Sequence, residues 1–279
     1  MRSCIRQEFL VFKLILFTLL CMSLLNTDFA HAKLLQIIHT NDFHSHFEQA
    51  DELEWGGYAE VKYIIDAIKN TAELQGIDTL ILDGGDFSEG TPFFMAEEGR
   101  LSWKMMDVFG FEAVVIGNHD WLIGFEQMDK ILGEIAPKTQ FISANLINRK
   151  GYVYQTEYKN LYKYVQPYAE FKKAGLKVGV LGLSTDEWTY RWRVKDTVIE
   201  PPIEIAKKQI PHLRFYNDFV IALTHLGVDK DISLVKSTEG IDLVVGGHSH
   251  TVLNEPLYIK NAVGKKVPIV QAGAHGMYV

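Results

Sequence analysis

The chain has 279 residues, 47% of them hydrophobic, and only 8 prolines, enough to bury one large core or a core with an appendage, which excludes a disordered chain. Its formal charge of -7 disfavours a surface that grips a nucleic-acid polymer. A small anionic substrate stays allowed, because bound cations dominate the field at a local site.

Residues 1 to 13 carry Arg2, Arg6 and Lys13, residues 14 to 25 are almost wholly apolar, and Ala30-His31-Ala32 supplies small residues two apart before Lys33. That layout is a signal peptide over 1–32, cut near Ala32. The apolar run, about a dozen residues, falls short of the ~20 a membrane-spanning helix needs. The expectation is therefore a periplasmic or secreted protein with no stable membrane insertion after cleavage. Cys4 and Cys21 both lie in the segment to be removed, so the mature chain holds neither a disulfide nor a thiolate metal site.

After the signal, apolar runs alternate with stretches of helical periodicity, which reads as α/β. Strands are expected at Leu34 to Ile38, Thr79 to Leu82, Ala113 to Ile116, Lys177 to Leu183, Phe219 to Leu223 and Leu243 to Val245. Helices are expected at Tyr58 to Asn70, Leu101 to Phe109, Gly124 to Ile135 and Ile203 to Leu213, the last started by Pro201-Pro202. The aromatic-rich stretch 148 to 175 reads as exposed hairpins turning at Lys150-Gly151 and Ala174-Gly175. No linker or fixed repeat interrupts the chain, so a single domain over 33–279 is expected.

Five apolar runs are followed at once by metal-binding residue types: Asn41-Asp42-Phe43-His44, Gly84-Gly85-Asp86, Gly117-Asn118-His119-Asp120, Thr224-His225 and Gly246-Gly247-His248-Ser249-His250. Such residues at the carboxyl ends of strands meet where ligands bind in open α/β sheets. Asp42 and His44 are two apart, as are His248 and His250, so in extended backbone each pair projects to one side. The donors are two carboxylates, four imidazoles and one amide, a set suited to two divalent ions about 3.5 to 4 Å apart. With Asp86 bridging, Asp42, His44 and His250 complete one position, and Asn118, His225 and His248 the other. The absence of sulfur and the shortage of oxygens favour Zn, Mn, Fe or Co over Mg. His39, His46, His212 and His275 are read as ordinary hydrogen-bonded histidines.

These blocks resemble the calcineurin-like metallophosphoesterases, in the branch of periplasmic 5'-nucleotidases and UDP-sugar hydrolases, with further similarity at Val178 to Leu183 and Ile269 to Gly273. The resemblance implies a four-layer α/β/β/α sandwich with two mixed sheets. It also implies hydrolysis of nucleotides or related phosphoesters by a metal-bound hydroxide, with His119 near the leaving group. UDP-sugar or other diphosphate cleavage is the alternative substrate class, and a phosphate-binding module without turnover the alternative function.

Two departures bear on that reading. The resembling enzymes carry an Asp three residues after the His, where this chain has Leu122; Glu89 and Asp120 are the acids expected to hold His119 in its place. The family also continues past the stretch matching Ile269 to Gly273 into a C-terminal nucleotide-binding domain, whereas this sequence stops at Val279, as a fragment or as a short phosphoesterase. The insertion Thr185 to Asp196, with Trp188, Tyr190, Arg191, Trp192 and Arg193, reads either as a substrate contact or as a surface loop.

Overall fold

Helical and strand periodicities meet in two packed sheets. The computed structural model describes residues 34–48, 56–148, 158–187 and 197–279. The signal segment, the Lys150-Gly151 turn and residues 188–196 of the insertion lie outside them. Leu35–Val279 form one unit, and among the described residues no helix is long and apolar enough to cross a membrane.

The first sheet runs β1 (Leu35–Thr40), β2 (Asp78–Asp83), β3 (Ala113–Val115), β4 (Gln140–Ile142) and β6 (Val165–Gln166), all parallel. The second is mixed: β12 (Leu257–Lys260), β13 (Lys266–Val270), β11 (Leu243–Val245), β10 (Phe219–His225), β8 (Leu176–Ser184) and β7 (Tyr168–Lys173), with the antiparallel pairs at its two edges. A small antiparallel pair joins β5 (Leu146–Asn148) to β9 (Thr197–Ile199). The resemblance implied two mixed sheets; the five-stranded one is parallel throughout, because its strands are joined by crossovers and none by a hairpin.

Alternating side chains explain the layering. On β2, Leu80 and Leu82 enter the core between the sheets, while Ile81 joins the core on the outer face; on β10, Ile221 and Leu223 face inward and Val220 and Ala222 outward. Strands buried on both faces read as continuous apolar runs, which is why they stood out in the sequence. The outer face of the first sheet is covered by α1 (Tyr58–Leu74), α2 (Arg100–Phe109) and α3 (Phe125–Ile135). On α2 the buried positions Trp103, Met106 and Phe109 recur every three residues, and Gly110 ends the helix at φ 83°. The second sheet is covered by α5 (Pro202–Tyr216) and α6 (Val228–Ser237).

The described part of the stretch expected as hairpins holds a six-residue helix as well as a hairpin. Ala174 and Gly175, both at positive φ, turn β7 into β8 as expected. Upstream stands the helix α4 (Lys159–Tyr164), whose first backbone N–H groups, on Asn160 and Leu161, donate to Asp129 on α3 at 2.7 and 2.8 Å. That cap comes from thirty residues away in the chain, so local pattern did not show it.

Asp231 on α6 is fully buried behind β10, accepts the Thr224 hydroxyl at 2.7 Å, and has a second oxygen without a hydrogen-bond partner. Burial pushes its carboxyl up to about 7. A folded value above the unfolded one near 3.9 means the folded chain keeps a proton that the unfolded chain releases. Stability is then full below about pH 4 and declines up to about pH 7. Asp231→Asn mimics the protonated acid, so its unfolding free energy relative to the parent is expected to rise by a few kcal/mol from pH 4.5 to pH 7.5, read by urea denaturation at both.

Candidate metal centre

The carboxyl ends of β1, β2, β3, β10 and β11 open onto one cluster, so that both sheets supply it. His225 is the last residue of β10; the other expected donors lie in the loops that follow their strands. Asp42 Oδ1 lies 3.4 Å from His250 Nε2 and 3.9 Å from His44 Nε2, and Asp86 Oδ2 lies 2.9 Å from His225 Nε2, 3.9 Å from His44 Nε2 and 4.0 Å from His119 Nε2. Among the described residues, three triplets of potential ligand atoms fall within 4.8 Å of one another: Asp42 with His44 and His250, His44 with Asp86 and His119, and Asp86 with His225 and His248. Asp86 belongs to two of them.

The convergence does not come from extended backbone. Asp42, His44, Asp86, His248 and His250 have φ of 53°, 47°, 54°, 82° and 52°, all in the left-handed region. Each such non-glycine residue costs about 1–2 kcal/mol, so five need strong support. Backbone bonds between the loops supply it: Asp42 N–H to Gly85 O and His44 N–H to Asp86 O, both 2.8 Å, and His275 N–H to Asp42 O at 2.8 Å. Glycine is required where the loops cross, since a Cβ on Gly247 would lie 2.5 Å from the Gly84 carbonyl and 3.2 Å from Asp42 Oδ2.

Asp120, expected with Glu89 to hold His119 in place, spends its carboxylate on the backbone. It accepts N–H groups from Gly117 at 2.7 Å, Asp86 at 3.0 Å and Ser88 at 2.9 Å, and thereby ties the β2 and β3 loops together. Glu89 faces the histidine instead: its Oε2 lies 2.7 Å from His119 Nδ1. The same residue's carbonyl accepts from His44 Nδ1 at 3.0 Å, and the Gly84 carbonyl accepts from His225 Nδ1 at 2.7 Å. These partners leave Nε2 of all three rings facing the carboxylates.

Electrostatics follow from the burial of acids among imidazoles. Burial works to raise Asp86, but His225, His119 and His44 outweigh it and hold the carboxyl below the usual range. Burial works to lower His225, yet the Asp86 and Asp42 charges keep it above the usual imidazole range. Asn118 is the informative group: it is buried, and neither its Oδ1 nor its Nδ2 has a hydrogen-bond partner. An orphaned buried amide costs about 1–3 kcal/mol unless something binds it, and an oxygen donor beside imidazoles and carboxylates fits a divalent cation.

Sequence reasoning missed several groups around this cluster. His275, read as an ordinary histidine, stacks on His46 at 4.1 Å and lies 5.6 Å from the His250 ring and 5.8 Å from His44. Burial, with the imidazoles of His46, His44 and His250, pushes it down to about 4. Asp83 accepts from Thr40 Oγ1 at 2.7 Å and Gly85 N–H at 2.9 Å, and burial pushes it up to about 8. It reads in the sequence as the end of a strand, with no local sign of its burial. His39, read as a hydrogen-bonded histidine, instead has its Nδ1 buried without a hydrogen-bond partner.

A family model described as calcineurin-like phosphoesterase matches residues 35–252. The 5'-nucleotidase of Bos taurus is 30% identical over 270 residues, covering 88% of this chain and 45% of that one. Protein UshA of Yersinia enterocolitica is 30% identical over 232 residues, covering 77% and 40%. The crystal structure of a 5'-nucleotidase precursor from Thermus thermophilus superposes with a TM-score of 0.74 at 28% identity, over 87% of this chain and 49% of that one. The chain thus spans about half the length, or less, of the relatives it matches.

The loop crossing at Gly117 can be tested apart from any activity. A Cβ there would run into the Asp86 carboxylate and sit 2.5 Å from the Asp86 backbone nitrogen. Gly117→Ala is expected to lower the unfolding free energy by about 1–3 kcal/mol, measured by denaturant titration; an unchanged midpoint would show that the two loops have slack.

Proposed function

Because the chain belongs to the calcineurin-like phosphoesterase family, we propose that it hydrolyses nucleotides or related small phosphoesters at a two-metal centre held by Asp42, His44, Asp86, Asn118, His225, His248 and His250. The observation that carries this is the place of Asp86 in two ligand triplets, one completed by His225 and His248 and the other by His44 and His119, with His44 in turn shared with Asp42 and His250. That layout favours Asp86 as the bridge, and the orphaned Asn118 amide favours an oxygen ligand at the position it shares. Two divalent ions there would supply net positive charge for the phosphate, polarise its oxygens and acidify the attacking water. The donor set favours Zn, Mn, Fe or Co.

The chain's own residues divide the remaining work. His119 holds a proton on Nε2, 4.0 Å from Asp86 Oδ2, and delivers it to the departing oxygen. Glu89 accepts the Nδ1–H of His119, favours the imidazolium that carries the second proton on Nε2, and fixes the ring with Nε2 facing the phosphate. This answers for Leu122, which occupies the position from which family members present an Asp. Asp120 keeps the Asp86 and Gly117 loops in register. The segment 1–32 serves export, and the working location is the periplasm or the outside of the cell.

Metal analysis of the purified chain, paired with hydrolysis of p-nitrophenyl phosphate, its bis ester and AMP, tests the proposal. Two equivalents of metal with turnover of AMP are expected; metal without turnover of any of the three would favour a phosphate-binding module, and turnover restricted to diphosphates would favour the UDP-sugar class. His119→Ala is expected to keep both metals and lose about 10²- to 10⁴-fold in kcat on substrates with poor leaving groups. Glu89→Gln should lose about tenfold or more without losing metal, because His44 is held by the Glu89 carbonyl and not by its side chain. Metal loss in the His119 variant would remove that residue from the acid role.

A further inference from the structure

The imidazoles of the proposed ligand set are not held alike. His44 and His225 each give Nδ1–H to a backbone carbonyl, which leaves Nε2 as the nitrogen turned toward the proposed metal positions. His248 is reversed: its Nε2 faces Glu187 Oε1 at 3.1 Å. A carboxylate only accepts, so the proton sits on Nε2 and Nδ1 carries the lone pair. His248 belongs to the triplet with Asp86 and His225, and its backbone N–H donates to Asp42 Oδ2 at 2.9 Å, which sets where its ring starts from.

The segment that leads to Glu187 is tied down at two points. Ser184, the last residue of β8, is clasped through both backbone groups by the Asn145 side chain, at 2.8 and 2.9 Å. Asp186 pairs with Lys230 on α6 at 3.0 Å. The carboxylate therefore reaches His248 from a segment anchored at two points. We infer that Glu187 is a positioning residue for His248, holding its ring so that Nδ1 faces the metal position shared with Asp86 and His225. This rests on the two-metal reading above. It also gives that position an outer carboxylate, as Glu89 gives one to His119.

Competition of Zn2+ against a chromophoric chelator, on the full 279-residue chain, tests the inference. The parent is expected to take two equivalents. Glu187→Ala is expected to weaken one of them about 10- to 100-fold and leave the other within about twofold, with the melting temperature of the metal-free protein unchanged. Glu187→Gln keeps an acceptor oxygen without the charge, so it should weaken the same equivalent by less. Unchanged affinity for both equivalents in Glu187→Ala overturns the inference, as does equal weakening of both or a Gln variant no better than Ala. If the Ala variant does not fold, the Gln variant decides: weakening of one equivalent supports the role and none overturns it. Fewer than two equivalents in the parent would overturn the two-metal reading instead.

Discussion

Everything at the site depends on the crossing of two loops, the one after β1 and the one after β2. Asp42 and His44 bond by their backbone N–H groups to Gly85 and Asp86, so neither loop can keep its shape without the other. Left-handed backbone at Asp42, His44 and Asp86 is unfavourable in isolation, and it persists because these bonds, with the buried Asp120 carboxylate, over-determine it. The strain aims donors from separate strands at Asp86. Strands alone could not do so, because their side chains stand off the faces of the sheet and not beyond its edge.

The acids around this crossing take roles from their surroundings and not from their residue type. Asp86 is flanked by imidazoles and stays below the usual carboxylate range. Asp120, next to a candidate proton donor in sequence, is turned toward three backbone N–H groups. Burial and the Asp86 charge push Asp120 up, and those donors pull against the rise. Glu89 is half exposed and serves two rings, one through its side chain and one through its carbonyl. A single residue thereby links a proposed metal ligand to the proposed proton donor.

The two sheets meet at the site but are built differently. The parallel sheet is buried on both faces and presents the ends of β1, β2 and β3. The mixed sheet presents the ends of β10 and β11, with its antiparallel pairs at the two edges. A core shared between the sheets, from Leu80, Leu82 and Val115 on one side to Val180, Ile221 and Leu223 on the other, fixes the distance between the two groups of loops. The relatives it matches are about twice as long as this chain.

Much was legible in the sequence alone. Six strands appear as apolar runs because they are buried on both faces, and four helices appear because their buried positions recur every three or four residues. The seven expected donors are visible because their blocks follow such runs, three of them directly after a glycine that lets loops approach closely. Only the tertiary structure decided which groups hold which. The cap on α4 from Asp129, the turn of Asp120 toward backbone, the approach of His275 through its bond to Asp42 and the pairing of Glu187 with His248 all join residues about thirty to more than two hundred positions apart. Periodicity and motif spacing report the local energy of a segment. Which carboxylate meets which imidazole is set by how two buried sheets align their edges, and that is a property of the packed core.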